Sequence, residues 1–348
     1  MWNSRRRRCD KMVDELHKQP RPILNLPQKF VSDGVTFPGY VRKDLKESIE
    51  KFECRDDDVC VYVVTYPKSG TTWAIEMVSL ILNNADTEYN LSKEQFARVL
   101  VLEMRLEFAQ RIKFIFLVIY RLLTWLMPRS LQETMKYWLA ALMASDGMTY
   151  LNSMTTRRLI KSHLPCNFFP RKALEKKCKI VYILRNPKDT YVSYYYFHKN
   201  NWFHGFYDKP WSEFYKACVE KQLPYGDWFD HVLGWWKHNG EKNICFLKYE
   251  DMKRNPRAAL ETLSSFLEKD LSEEAATKIL EHCSFESMKK NRTVNMSVNT
   301  FVFDLKRAAF IRKGTVGDWE NHFTVAENAA FQELYDKKMK GSGLNFDM

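Results

Sequence analysis

The sequence predicts an α/β protein: a parallel β-sheet flanked by helices on both faces, entered through a P-loop-like turn built to hold phosphate. Three observations carry this. Four short apolar or β-branched runs, "VCVYVVT" (59–65), "RLIKSH" (158–163), "KIVYILR" (179–185) and "ICFLKYE" (244–250), each precede a loop and a helical pattern. Strands that are continuously apolar belong to parallel sheets covered on both sides, wound by crossover helices. The turn after the first run, "TYPKSGTTW", sets a lysine, a glycine and three hydroxyl residues between two apolar segments.

The 348 residues, 45% hydrophobic and 14% aromatic, can bury a substantial core. Residues 1–28, with Arg5 to Arg8 and then Pro20, Pro22 and Pro27, read as a basic tail, and residues 29–348 as one domain with a helical insert at about 90–150. The formal charge of +11 and the pI near 9.1 point to an anionic partner, without separating nucleic acid, membrane surface and phosphorylated small molecule. Eight cysteines (Cys9, Cys54, Cys60, Cys166, Cys178, Cys218, Cys245, Cys283) contain no C-x-x-C pair, and several lie in strand-like runs. That pattern predicts reduced, structural thiols in a cytoplasmic protein. No apolar signal-peptide stretch follows the Arg run, so the sequons at Asn90, Asn291 and Asn295 are read as chance.

In the first strand–turn–helix unit, backbone N–H groups and the positive end of a helix dipole converge on one spot, which suits phosphate. Gly70 permits close backbone approach, Ser69, Thr71 and Thr72 supply hydroxyls, Lys68 supplies a mobile charge, and Trp73 offers a flat face for a base. A Walker loop has its lysine after the last glycine. Here the lysine comes first, so this phosphate loop is of another kind.

Further along, "FIFLVIYRLLTWLM" (114–127) is apolar except for Arg121 and Thr124 and, at 14 positions, is shorter than the roughly 20 needed to span a bilayer. A buried or lid helix is the expectation, with a membrane-surface helix as the alternative. In "RLIKSHLP", Lys161 and His163 lie two apart at a strand end, which alternation turns to one face: a titratable imidazole beside a cation. In "RNPKDTYVSYYYF", Asn186-Pro187 stops a strand, Asp189 is placed to cap the next helix, Ser193 lies on its first turns, and Arg185 is placed for a second phosphate. In "FIRKGTVGDW", Arg312, Lys313 and Gly314 give a loop two cations and a backbone donor.

Together these segments resemble the cytosolic sulfotransferases, which move a sulfuryl group from 3′-phosphoadenosine-5′-phosphosulfate (PAPS) to a hydroxyl or amine, leaving the bisphosphate PAP. "TYPKSGTTW", "RLIKSHLP", "YILRNPKDTYVSYYYF" and "FIRKGTVGDW" stand in family order, joined by "FLKYEDMKRNP" and "FTVAEN", from roughly residue 30 onward. The resemblance implies that Lys68, Ser69, Gly70, Thr71 and Thr72 hold the 5′-phosphosulfate, and that Arg185, Ser193, Arg312, Lys313 and Gly314 hold the 3′-phosphate. It places Trp73, Tyr249, Phe285 and Phe310 around the adenosine. It makes His163 the catalytic base, Lys161 a partner for sulfuryl oxygens, Lys68 the stabiliser of the leaving bridging oxygen, and Ser193 the restraint on Lys68. Pro67 and Phe197 are expected to line a hydrophobic acceptor pocket for a phenol, steroid or other alcohol. No metal is implied.

Three departures from the family pattern stand out. Cys283 replaces a threonine before Ser284-Phe285, which weakens one adenine hydrogen bond. Glu320 and Ala329 replace the lysine and glutamate of the family dimer motif around Thr324-Val325, which puts the homodimer in question. The interval of 88 residues from Trp73 to Lys161 is long for the family and holds the apolar run. Among other readings, a nucleotide kinase would require magnesium and carboxylates to hold it. A silent PAPS-binding or membrane-surface protein stays open, and a nucleic-acid binder accounts for the charge but for none of the motifs.

Overall fold

The computed structural model describes residues 24, 26, 29–54, 60–105, 147–153, 158–176, 178–299 and 302–347. The expected tail, apart from Leu24 and Leu26, and the apolar 114–127 segment lie outside the described residues.

Each of the four apolar runs becomes a strand. β1 (Phe30–Ser32) and β2 (Val35–Phe37) pair as an antiparallel hairpin. β3 (Cys60–Thr65), β4 (Leu100–Val101), β5 (Arg158–Ser162), β6 (Lys179–Leu184) and β7 (Ile244–Lys248) form one sheet in the order β4-β5-β3-β6-β7. All its pairs are parallel. Every residue of β3 is buried, because the alternation of side chains serves two cores at once. Tyr62, Val64, Ile180 and Tyr182 face a core rich in Tyr, Trp and Phe, including Tyr191, Trp228 and Trp235. Val61, Val63, Val181 and Ile183 face an aliphatic core built on Ile75, Val78, Leu260, Leu263 and Ile279.

Helix α1 (Thr71–Leu82) follows β3, α2 (Pro187–Asn200) follows β6, and α3 (Trp228–Trp236) precedes β7. α4 (Phe285–Lys290) and α5 (Val325–Met339) come later in the chain. From β3 the chain passes to the sheet edge at β4 and returns through β5, and then crosses to β6 on the other side of β3. The C-terminal ends of β5, β3 and β6 therefore meet where the winding reverses, the position at which open α/β sheets hold ligands.

Three local readings are corrected. The expected strand 158–163 ends at Ser162, so His163 opens the following turn. Asp189 does not cap α2: Asn186 does, accepting from the Lys188 N–H, with Pro187 in the first turn. Part of the region assigned to the helical insert forms strand β4 instead, two residues too short to show a period. In the hairpin β1–β2, Asp33 (φ +46) and Gly34 (φ +75) form the positive-φ turn that an Asp-Gly pair between apolar runs favours.

Asn90 is buried and hydrogen-bonded to Glu76 and Ser79, so its sequon is inaccessible. The seven cysteines among the described residues carry free thiols. No helix among the described residues is long and apolar enough to cross a membrane.

Candidate active site

The turn after β3 is shaped by two backbone choices. Lys68 has a left-handed backbone (φ +70), and Gly70 (φ +100) begins α1 without a capping side chain. The first intrahelical bond runs from the Ala74 N–H to the Gly70 carbonyl, so the amides of the first helical turn, Thr71 to Trp73, have no backbone acceptor among the described residues and are left for an outside one. A Cβ on Gly70 would lie 2.7 Å from the Tyr249 ring. The loop is thus pressed directly onto that ring. Ser69 and Thr71 are buried, and the Thr72 carbonyl accepts from Gln95.

Four cations gather here. The Lys68 ammonium lies 4.6 Å from the Phe197 ring centre and 4.5 Å from that of Phe310. Burial, with the charges of Lys161, Arg185 and Arg312 added, pushes its pKa down to about 7. Lys161, 5.6 Å from the Phe96 ring, is pushed down to about 8 by burial, against the opposing pull of Glu103. Arg185 lies over the Tyr249 ring at 4.3 Å and donates to the Lys68 carbonyl at 2.9 Å, while its buried Nε has no partner among the described residues. Desolvated like charges converging on a concave loop suit a bound polyanion.

His163 stands at the edge of this cluster. β3 and β5 are in register at Val64–Ser162, so the next residues, Thr65 and His163, come side by side. His163 Nδ1 lies 2.9 Å from the Thr65 carbonyl, which can only accept, so Nδ1 carries the proton and Nε2 keeps its lone pair. No hydrogen bond engages Nε2 among the described residues. Burial first, then the charge of Lys161, pushes His163 well below the usual imidazole range. The backbone around it is pinned: the His163 N–H donates to Glu103 at 2.9 Å, Ser162 Oγ donates to the same carboxylate at 3.0 Å, and His231 Nε2 donates to the His163 carbonyl at 3.0 Å.

The second basic loop closes the other end. Gly314 (φ +65) sits so close to Phe285 that a Cβ would lie 2.3 Å from its ring. Arg312 stacks on Tyr196 at 4.4 Å, and both Arg312 and Lys313 pair with the buried Asp318. Asp189 accepts from the Gly317 and Trp319 N–H groups at 2.7 and 3.0 Å, tying this loop to α2. Trp73 meets Tyr249 edge-on at 5.7 Å, and its buried indole N–H has no partner among the described residues.

The sequence-derived candidates therefore fall into three groups. Lys68, Ser69, Gly70, Thr71, Thr72, Trp73, Arg185 and Tyr249 form one wall, and Phe285, Arg312, Lys313 and Gly314 another. Phe197 lies over the Lys68 ammonium, His163 adjoins Thr65 in the field of Lys161, and Pro67 sits in the turn just before Lys68. Phe310 packs with Phe197 and Phe303 and lies under the Lys68 ammonium. Ser193 lies one turn before Phe197 on the same face of α2. Among the described residues the Lys68 ammonium is held by the two aromatic rings rather than by Ser193.

The sequence reading missed Thr65, Glu103 and Asp318. Asp318 could have been found from its place after the basic loop. Thr65 and Glu103 gave no such signal.

A sulfotransferase domain model matches residues 56–343, and the chain belongs to that family of transferases. Sulfotransferase 1B1 of Canis lupus familiaris is 38% identical over 301 residues, covering 86% of this chain and 89% of its own length. The crystal structure of mouse sulfotransferase SULT7A1 complexed with PAP superposes with a TM-score of 0.67 at 29% identity, covering 91% of this chain and 97% of that one. Retinol dehydratase in complex with androsterone and inactive cofactor PAP superposes with a TM-score of 0.75 at 25% identity, covering 91% and 90%.

Proposed function

We propose that the protein transfers a sulfuryl group from PAPS to the hydroxyl of a small hydrophobic acceptor, a phenol, steroid or other alcohol, with His163 as base. The observation that carries this is the open Nε2 of a buried neutral His163 beside the converging Lys68 and Lys161. Family membership supports the reaction class.

The residues present fit the donor. The Gly70 and Gly314 cradles, each closed by an aromatic ring, suit close backbone approach, and the unpartnered Trp73 N–H and Arg185 Nε await acceptors. Lys68, Ser69, Gly70, Thr71 and Thr72 would hold the 5′ end, and Arg185, Ser193, Arg312, Lys313 and Gly314 the 3′-phosphate, with Trp73, Tyr249, Phe285 and Phe310 against the adenosine. When bound, PAPS supplies an electrophilic sulfuryl group on a phosphate leaving group. His163 Nε2 would take the acceptor's hydroxyl proton, Lys161 would face the sulfuryl oxygens, and Lys68 would meet the charge developing on the bridging oxygen. Pro67 and Phe197 would supply apolar surface for the acceptor.

On the same reading, residues 29–348 are one sulfotransferase domain in a cytoplasmic protein, consistent with the free thiols. The exposed Glu320 and Ala329 do not supply the ion pairs of the family dimer motif. The test is incubation with PAPS labelled in the sulfuryl group, in the presence of a chelator, against a panel of hydrophobic alcohols and phenols. Label in an organic product supports the reading, and analysis of the spent acceptor separates a stable sulfate ester from elimination. No transfer and no PAP binding would overturn it.

A further inference from the structure

Thr65 is fully buried at the end of β3, and its hydroxyl touches both halves of the site. Its Oγ1 lies 2.7 Å from Thr71 Oγ1, in the phosphate loop, and 3.2 Å from His163 Nδ1. The direction of these bonds is set by elimination. Nδ1 holds its proton against the Thr65 carbonyl at 2.9 Å, so it can only donate to the neighbouring Oγ1. The Thr65 hydroxyl proton then has one acceptor among the described residues, Thr71 Oγ1. The Thr71 proton is then left without an acceptor among the described residues.

We propose that Thr65 couples the two halves of the site: an anion in the phosphate loop orders a directed chain, His163 Nδ1–H to Thr65 to Thr71 to anion, that makes His163 Nε2 a stronger base. This rests on the functional reading above and deepens it. Each hydroxyl that donates forward becomes a better acceptor behind, so the negative charge at one end is felt at the imidazole at the other. No proton leaves the chain. The device answers a difficulty in the site, since burial and Lys161 disfavour the protonated imidazole that the base must become. It favours that state when the donor is in place.

The groups facing His163 are Lys161 on β5, Lys68 in the loop, His231 on α3, the Tyr225 ring and the Glu103 carboxylate at its backbone. A bound anion also acts on His163 through space and by neutralising the lysines. The experiment must separate that contribution from the chain.

The test is an NMR titration of His163, in protein labelled on histidine, with and without saturating PAP. In the wild-type protein PAP should raise the His163 pKa. Thr65→Val keeps the carbonyl and the shape but removes the hydroxyl, and should cut that rise by about half a pH unit or more, the size of one ordinary hydrogen bond. Thr65→Ser should restore it. Thr71→Val, read at saturating PAP, breaks the chain at its other hydroxyl and should reproduce the loss even if Thr65→Val fails to fold. An equal rise in wild type, Thr65→Val and Thr71→Val would overturn the proposal while leaving the transferase reading intact. Failure of the wild-type protein to bind PAP would overturn both.

Discussion

Removing the Lys68 charge should stabilise the ligand-free protein, because the site holds that charge at a cost. Its ammonium is desolvated beneath Phe197 and Phe310 and faces Lys161, Arg185 and Arg312, which together push it from 10.5 down to about 7. A shift of that size converts to about 5 kcal/mol at about 1.4 kcal/mol per unit. The side chain is half-buried rather than sealed, so about 1–3 kcal/mol is the working expectation. The perturbation is Lys68→Met, which keeps the length and sets a thioether between the two rings. The sign with pH follows from proton binding: below about 7 the lysine is charged in both states and the cost is complete. Between about 7 and 10.5 the unfolded chain binds the extra proton, and the cost fades. Urea unfolding without ligand should therefore find Lys68→Met more stable than wild type at pH 6.5, with the gap narrowing as pH rises toward 10.5. A variant less stable than wild type at pH 6.5, or a gap that does not change with pH, would refute the reasoning.

The same charges predict that PAP binding at pH 8 takes up on the order of one proton, because Lys68 and Lys161, at about 7 and 8, are recharged by the anion. Calorimetry in two buffers of different ionisation enthalpy should show that uptake shrinking toward pH 6; release at pH 8 would contradict it. Gly314→Ala forces a Cβ to within 2.3 Å of Phe285 on a backbone at φ +65, and should weaken PAP binding by about tenfold or more in a binding titration. Arg312→Ala removes a charged donor and should weaken PAP binding by about 10–100-fold, leaving Asp318 paired with Lys313 and the fold intact by circular dichroism.

Much of this site was legible because it is written in contiguous segments. The run "VCVYVVT" is apolar at every position but its last, so a strand buried on both faces followed at once, and the lysine–glycine order of the next turn separated it from a Walker loop. The parts that were not legible depend on register. Glu103 reaches the backbone of His163 across 60 residues, and Thr65 meets the imidazole only because β3 and β5 align at Val64–Ser162. Asp189 has the sequence position of a helix cap, yet Asn186 takes that role and Asp189 is drawn to amides 128 and 130 residues away. Phe310 lies in a motif that suggests the adenosine, and its packing with Phe197 and Phe303 beside Lys68 is a long-range arrangement the motif does not carry. Side-chain direction in a loop carries no period to read.

The central claim is that one molecule carries a donor site and a separate base, and the most direct test measures both on the same variant. PAP affinity and sulfuryl transfer should be determined for His163→Ala beside the wild-type protein. PAP affinity should stay within a few-fold of wild type while transfer falls by about 100-fold or more. Transfer at the wild-type rate would contradict the assignment of His163 as the base.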